Sequence, residues 1–142
     1  MRNVNQILEA KGARIVAVPE DTPVLEVIRL MAEHHIGSVL VVRGGELIGI
    51  ATERDYARKV ILQGRSSVDT PVGQVMSSPV LTVLPTDTAQ TCMALMTERK
   101  IRHLPVVEKG QLLGLISIGD LVKAVIQDQQ HEIAQLQQYI TS

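Results

Sequence analysis

"IRHLPVVEKGQLLGLISIGD" (Ile101 to Asp120) decides the fold, because the chain has already written it once as "IGSVLVVRGGELIGIATERD" (Ile36 to Asp55). The two stretches run in step, 65 positions apart (36 to 101, 55 to 120). Val41 falls on Val106, Val42 on Val107, Gly45 on Gly110, Leu47 on Leu112 and Gly49 on Gly114. A repeat of this kind signals architecture, since one small unit cannot bury its apolar face alone. Upstream, "VPEDT" (Val18 to Thr22) matches "LPTDT" (Leu84 to Thr88) one residue out of step. The first copy therefore carries one extra residue in or just before its first helix.

Each copy reads the same way. A short strand ends near Pro19 or Pro85. Asp21-Thr22 and Asp87-Thr88 are predicted helix N-caps, and Pro23 suits a first turn. Val24, Val27, Ile28 and Met31 fall at helical spacing, as do Cys92, Leu95 and Met96. Two β-rich runs follow, joined by glycine turns at "RGGE" and "EKGQ". A second helix starts at each acidic motif. The expected fold is α/β (α+β), with two pseudo-symmetric βαββα repeats packed sheet to sheet in one compact domain. The expected boundaries are a lead-in helix over 1–14, repeats over 15–62 and 78–127, a linker over 63–77 and a helical extension over 128–142. Within the linker, Thr70-Pro71 is predicted to cap and begin a short helix ending near Met76.

Composition narrows the function. Of 142 residues, 45% are hydrophobic, yet there are two Tyr and no Phe or Trp. The core must come from Val, Ile, Leu, Ala and Met. With 14 basic and 15 acidic residues the net charge is -1, which gives no footprint for DNA and no polybasic membrane anchor. No apolar run approaches the ~20 residues of a membrane span. Cys92 is the single cysteine, so no intrachain disulfide forms. Together with a short polar N-terminus, these features suggest a soluble cytoplasmic protein. None of the four histidines has metal-ligand spacing, so no metal is expected. His34 and His35 close a polar helix face and are expected in solvent. No Ser-His-Asp set and no phosphate-loop or dinucleotide glycine motif is present, which argues against an enzyme.

Two βαββα copies, with "hhGhh(S/T)xxD" after a hairpin and "hPVV" in the first hairpin strand, resemble a tandem pair of CBS domains, or Bateman module. "ERDYARKVILQGRSS" and the stretch from Ala94 to Ile126 resemble those of small stand-alone bacterial CBS-pair proteins. The resemblance implies adenosine-nucleotide binding (AMP first, with ADP, ATP or NAD as alternatives) in clefts between the repeats. It also implies a homodimer, a regulatory role toward an unidentified protein, and no catalysis. By resemblance the clefts are crossed. The first draws on Lys11, Ile15, Val16, Ala17, Gly37, Ser38, Ser117, Gly119 and Asp120. The second draws on Met76, Pro79, Val80, Arg102, His103, Leu104, Pro105, Thr52, Arg54 and Asp55. Val125, Ile126, Ile133, Leu136 and Ile140 form an apolar stripe that could pack on the module or on a partner chain.

The chemistry of the acidic motif supports two readings. One carboxylate accepts hydrogen bonds from both hydroxyls of a ribose, with charge assistance. The helix start beside it favours an anion. Against this, Thr52 with Asp55 and Ser117 with Asp120 have the spacing of a capping box. The two readings compete only for the carboxylate, which is expected near solvent in both copies. By resemblance Arg102 and His103 line the phosphate end, and Lys11 could reach a phosphate. Arg58 and Lys59 are read as a solvated helix face. Apolar residues at the cleft positions are core more often than ligand contacts. The alternatives are an interaction scaffold with vestigial clefts or, with less support, an uncharacterised enzyme.

Overall fold

The computed structural model describes residues 2–12 and 14–141. In chain order the elements are α1 (Val4–Lys11), β1 (Ala17–Pro19), α2 (Val24–His34), β2 (Ser38–Arg43), β3 (Glu46–Thr52) and α3 (Glu53–Tyr56). A π-helical turn (Ala57–Ile61) and a 3-10 turn (Val72–Gln74) follow, then α4 (Ala89–Arg99), β4 (His103–Glu108), β5 (Gln111–Ser117) and α5 (Ile118–Thr141). The fold is α+β with two small sheets. The chain forms two compact units, Arg14–Leu81 and Met1–Ala13 with Thr82–Ser142.

In the unit Arg14–Leu81 the sheet order is β1-β2-β3, with Ala17 parallel to Leu40 and Ser38 antiparallel to Thr52. α2 buries Val24, Val27 and Met31, the stripe its spacing predicts, among Val18, Val39, Val41, Ala51 and Val60. In the other unit β4 pairs with β5, and His103 stands opposite Ser117. Both hairpins slip by one residue at equivalent places, Val41/Val42 and Val106/Val107. Their turns need left-handed backbone at two positions, Gly44 and Gly45 in one and Lys109 and Gly110 in the other. The repeat thus persists down to individual dihedral angles.

The copies differ in their first strand. β1 is a short strand, whereas its counterpart is a single parallel bridge from Val83 to Val106. Beyond Val83, the Leu84 N–H turns to the Asp87 carboxylate at 2.8 Å, and Pro85 has no N–H to give. The predicted caps also hold unevenly. Thr88 caps α4, accepting from Thr91 N at 3.1 Å. α2 has no side-chain cap, and Pro23 is its extended N-cap residue rather than part of its first turn. Carbonyls of the connector take over that work, since Val24 N donates to Thr70 O and Leu25 N to Ser67 O, both at 2.9 Å. Likewise Pro71 is extended and precedes the 3-10 turn instead of starting it.

The lead-in segments explain the motif glycines. α1 precedes the first repeat in sequence, yet it packs on β5 of the second. A Cβ on Gly114 would stand 2.7 Å from Leu8 Cδ2. At the matching place in the other unit, a Cβ on Gly49 would meet Met76. Each hairpin has a glycine where an apolar lead-in side chain lies against the backbone. Among the described residues no helix is long and apolar enough to cross a membrane.

Candidate functional site

β5 ends at Ser117 and α5 begins at Ile118. There Ser117 N donates to Asp120 Oδ2 at 2.8 Å, and Asp120 N donates to Ser117 Oγ at 3.2 Å. That is the reciprocal capping box the spacing allows. Lys11, the last residue of α1, brings its ammonium to 2.7 Å from Asp120 Oδ2 and 2.8 Å from the Leu115 carbonyl. Asp120 Oδ1 has no partner among the described residues. Burial by itself would raise the Asp120 carboxyl, but hydrogen bonds from Lys11 and Ser117 outweigh it and hold the group below its ordinary value. His103 is half-buried on the adjacent strand. Burial pushes its pKa down, Lys11 and Arg102 push the same way, and Asp120 opposes them. Lys11, Arg102, His103, Ser117 and Asp120 therefore form one electrostatic cluster within a single unit.

The Asp55 motif has the same frame and a different content. Thr52 N and Thr52 Oγ1 both donate to Asp55 Oδ2, at 3.0 and 3.1 Å, while Asp55 N donates to Thr52 Oγ1 at 3.1 Å. Ser77 Oγ donates to Oδ1 at 3.0 Å, and the Lys59 ammonium reaches the same oxygen at 3.0 Å. A carboxylate offers about four lone-pair positions, and these contacts use them. Asp55 is 7% exposed, so the expectation of a carboxylate near solvent fails here: the linker folds back and Ser77 covers it. Lys59 is half-buried, bonds Val75 O at 3.1 Å and pairs with Asp55. It is not part of a solvated face.

The other predicted residues divide by unit. Ile15, Val16, Ala17, Gly37, Ser38, Met76, Pro79, Val80 and Arg54 share a unit with Asp55. Leu104, Pro105 and Gly119 share one with Asp120. Leu104 and Pro105 are buried in the β4–β5 core, and Met76 packs over Gly49. Val16 O accepts from Leu40 N at 3.1 Å, a sheet role. Ser38 is 1% exposed and its Oγ has no hydrogen-bond partner among the described residues, an arrangement that costs stability. Gly37 joins Met31, His35, Ile36, Glu53 and Tyr56 around an open groove of about 540 Å³. His34 is half-buried against Arg14 rather than solvated. Cys92 is fully buried, with its thiol pushed up to about 11 by burial and then by Asp87, as suits core. Sequence reasoning missed Ser77 and the pairing role of Lys59. The i,i+4 spacing of Asp55 and Lys59 was the available signal.

Comparison with known proteins agrees with this repeat. The model of the CBS domain matches residues 11–61 and 72–127. A mitochondrial CBS domain-containing protein of Arabidopsis thaliana is 41% identical over 136 residues, covering 92% of this chain and 66% of that protein. The chain thus spans about two thirds of that relative. A solved CBS-domain protein from Burkholderia ambifaria MC40-6 is 53% identical, with a TM-score of 0.87 over 90% of this chain and 96% of that one. A CBS domain protein from Pyrobaculum aerophilum, solved as a complex with AMP, is 28% identical, with a TM-score of 0.74 over 84% of this chain and 89% of that one.

Proposed function

Because this chain belongs to the CBS-domain family, we propose that it is a non-catalytic regulatory module that senses an adenosine nucleotide, AMP before ADP, ATP or NAD. The observation that carries the reading is Asp120. Its carboxylate stands at the start of a 24-residue helix with one oxygen open, beside Lys11, Arg102 and His103. A half-free carboxylate suits the two hydroxyls of a ribose, while the cations and helix start suit a phosphate. The AMP held by the Pyrobaculum relative supports the choice of ligand. Within the unit of Asp55, Gly37 and Ser38 stay in the proposal as contact residues, Ser38 for its unpartnered hydroxyl. Asp55 enters only by exchanging Ser77 or Lys59 for a ligand. At that motif the scaffold reading has an observation in its favour, because capping and ion pairing already use the carboxylate.

The module works as a homodimer in this proposal, and the regulated partner is a separate protein. Its single, buried cysteine suits a reducing compartment such as the cytoplasm. A thermal-shift panel of AMP, ADP, ATP and NAD tests the reading. At 100-fold excess over Kd a bound nucleotide adds about 2.7 kcal/mol of stability and is recovered unchanged. No shift with any of the four at millimolar concentration removes the sensor. Turnover of the ligand removes the non-catalytic claim.

A further inference from the structure

We propose that the Ser77 hydroxyl is a built-in competitor at Asp55, holding the place of a ligand's diol until the ligand displaces it; this rests on the nucleotide reading above and names the group that closes its second acid. All the groups involved lie in the unit Arg14–Leu81. Asp55 is buried, and the roughly four lone-pair positions of a carboxylate are in use. Oδ2 accepts Thr52 N at 3.0 Å and Thr52 Oγ1 at 3.1 Å. Oδ1 accepts Ser77 Oγ and the Lys59 ammonium, both at 3.0 Å. Ser77 Oγ also lies 3.3 Å from Oδ2, so it straddles the edge that two neighbouring hydroxyls of a ribose need. A diol on this carboxylate must evict a donor already there, and the donors differ in what eviction costs. Thr52 would give up the cap of α3. Lys59 would lose its counter-charge and keep the Val75 carbonyl. Ser77 is exposed and turns its hydroxyl to water, so it goes first.

The hydroxyl returns when the ligand leaves, because the backbone that carries it is tied down. Ser77 N donates to Ile50 O at 2.8 Å, and Ile50 N donates to Ser77 O at 3.1 Å. Met76, one residue earlier, lies against the backbone of Gly49. The latch is therefore a side-chain rotamer, with the linker left in place. Asp120 has no such hydroxyl across its carboxylate, and its Oδ1 stands open among the described residues. A site whose competent state is a small fraction of the population binds with an affinity reduced by that fraction. Asp120 thus answers ligand first and Asp55 only at higher concentration, which widens the range over which the module responds.

Calorimetric titration of AMP against Asp120→Ala, alone and combined with Ser77→Ala or Ser77→Thr, tests the latch. Adding Ser77→Ala should tighten the remaining site about tenfold, the worth of one hydrogen bond to a charged group. Ser77→Thr keeps the hydroxyl and should leave the affinity where it was. AMP lacking both ribose hydroxyls should gain nothing from Ser77→Ala, since it has no diol to put in the vacated place. With Asp120 intact, Ser77→Ala alone should bring a second binding event to lower AMP concentration than in the parent, so the idea can be read without the double variant. Unchanged affinity in Ser77→Ala would reduce the hydroxyl to a structural contact. Weaker binding would make it a ligand contact and overturn the competitor. An equal gain for AMP without its diol would overturn the exchange of hydroxyls. If Asp120→Ala binds no AMP with or without Ser77, the latch fails while the Asp120 site stands. A parent that binds no AMP overturns the nucleotide reading itself.

Discussion

Ser77 Oγ lies 3.0 Å from Asp55 Oδ1, so the hydroxyl of the linker completes a carboxylate whose other oxygen is already committed to Thr52. Lys59 closes the set. The two repeats carry the same motif and hold its acid in different states, one saturated and buried, one half-open. Asp55→Ala should therefore act on stability first. It removes the reciprocal cap and leaves the Lys59 ammonium and two hydroxyls without their acceptor. The expected loss is about 2 kcal/mol. Asp120→Ala loses mainly the cap and a half-exposed ion pair, about 1 kcal/mol. Urea unfolding of the two variants ranks them, and the reverse order would show that the Ser77–Lys59 network contributes little.

The effect on ligand runs the opposite way. Asp120→Ala removes the acceptor with room for a ribose and should weaken AMP roughly ten- to a hundredfold, the worth of two charged hydrogen bonds. Asp55→Ala should change AMP binding far less. Titration of AMP against both variants reads this directly. Parent-like affinity in Asp120→Ala would leave its carboxylate with capping alone.

Much of the architecture was legible because its causes are local. Glycine turns fixed both hairpins, and apolar spacing fixed the buried faces of α2 and α4. What the sequence hid is long-range. The acceptors that cap α2 are carbonyls at Ser67 and Thr70, which no local pattern announces. Lys11 and Asp120 stand 109 positions apart in the chain. The glycines of "hhGhh" stood out as repeated residues, but their role appears only once Leu8 and Met76 lie over them. At the acidic motifs the sequence offered a cap and a ligand grip as rivals. Both caps form, and only the packing of Ser77 and Lys59 separates the two copies as ligand sites.

The glycines give a prediction of unequal size. In Gly114→Ala the new methyl meets the far end of Leu8, Cδ2 at 2.7 Å, which a rotamer change relieves. In Gly49→Ala it meets Met76 along its whole length, with Sδ nearest, Cγ at 2.8 Å and Cβ at 3.2 Å. Overpacking of this kind costs about 1–3 kcal/mol. Gly49→Ala should lie at the upper end and Gly114→Ala at the lower. Denaturation midpoints test the order. Equal midpoints would mean that the linker shifts as readily as the leucine.

Acid should destabilise the fold in two steps. His103 is held below its ordinary 6.5 in the folded chain, so the unfolded chain takes up its proton first. The stability it carries is complete above pH 6.5 and is lost as pH falls through the folded value. Asp120 is held below 3.8. Its contribution is present above that pH and disappears at lower pH by the same sign. Melting temperature against pH should fall below about 6.5 in the parent, and this first step should vanish in His103→Asn. Its survival there would place the titration on another group.

Along α5 a row of apolar side chains lies open to solvent among the described residues. Val122, Ile126, Ile133, Leu136 and Ile140 are all exposed, from 42% to 79%. With Gln129 between them, their spacing alternates four and three, the seam of a two-stranded coil with isoleucine at alternate seam positions. A second copy of the same helix would bury that seam in kind, and of the flanking Gln130, Glu132, Gln137 and Tyr139 only Glu132 is charged. Removing Ile133 from water on dimerisation is worth about 1.5–3 kcal/mol. Ile133→Asp should therefore weaken the dimer by about tenfold or more while leaving the melting of the two units nearly unchanged. Light scattering across a micromolar dilution series reads both forms. A parent that is monomeric throughout excludes the dimer. A dimer equally strong in Ile133→Asp would move the interface away from this helix.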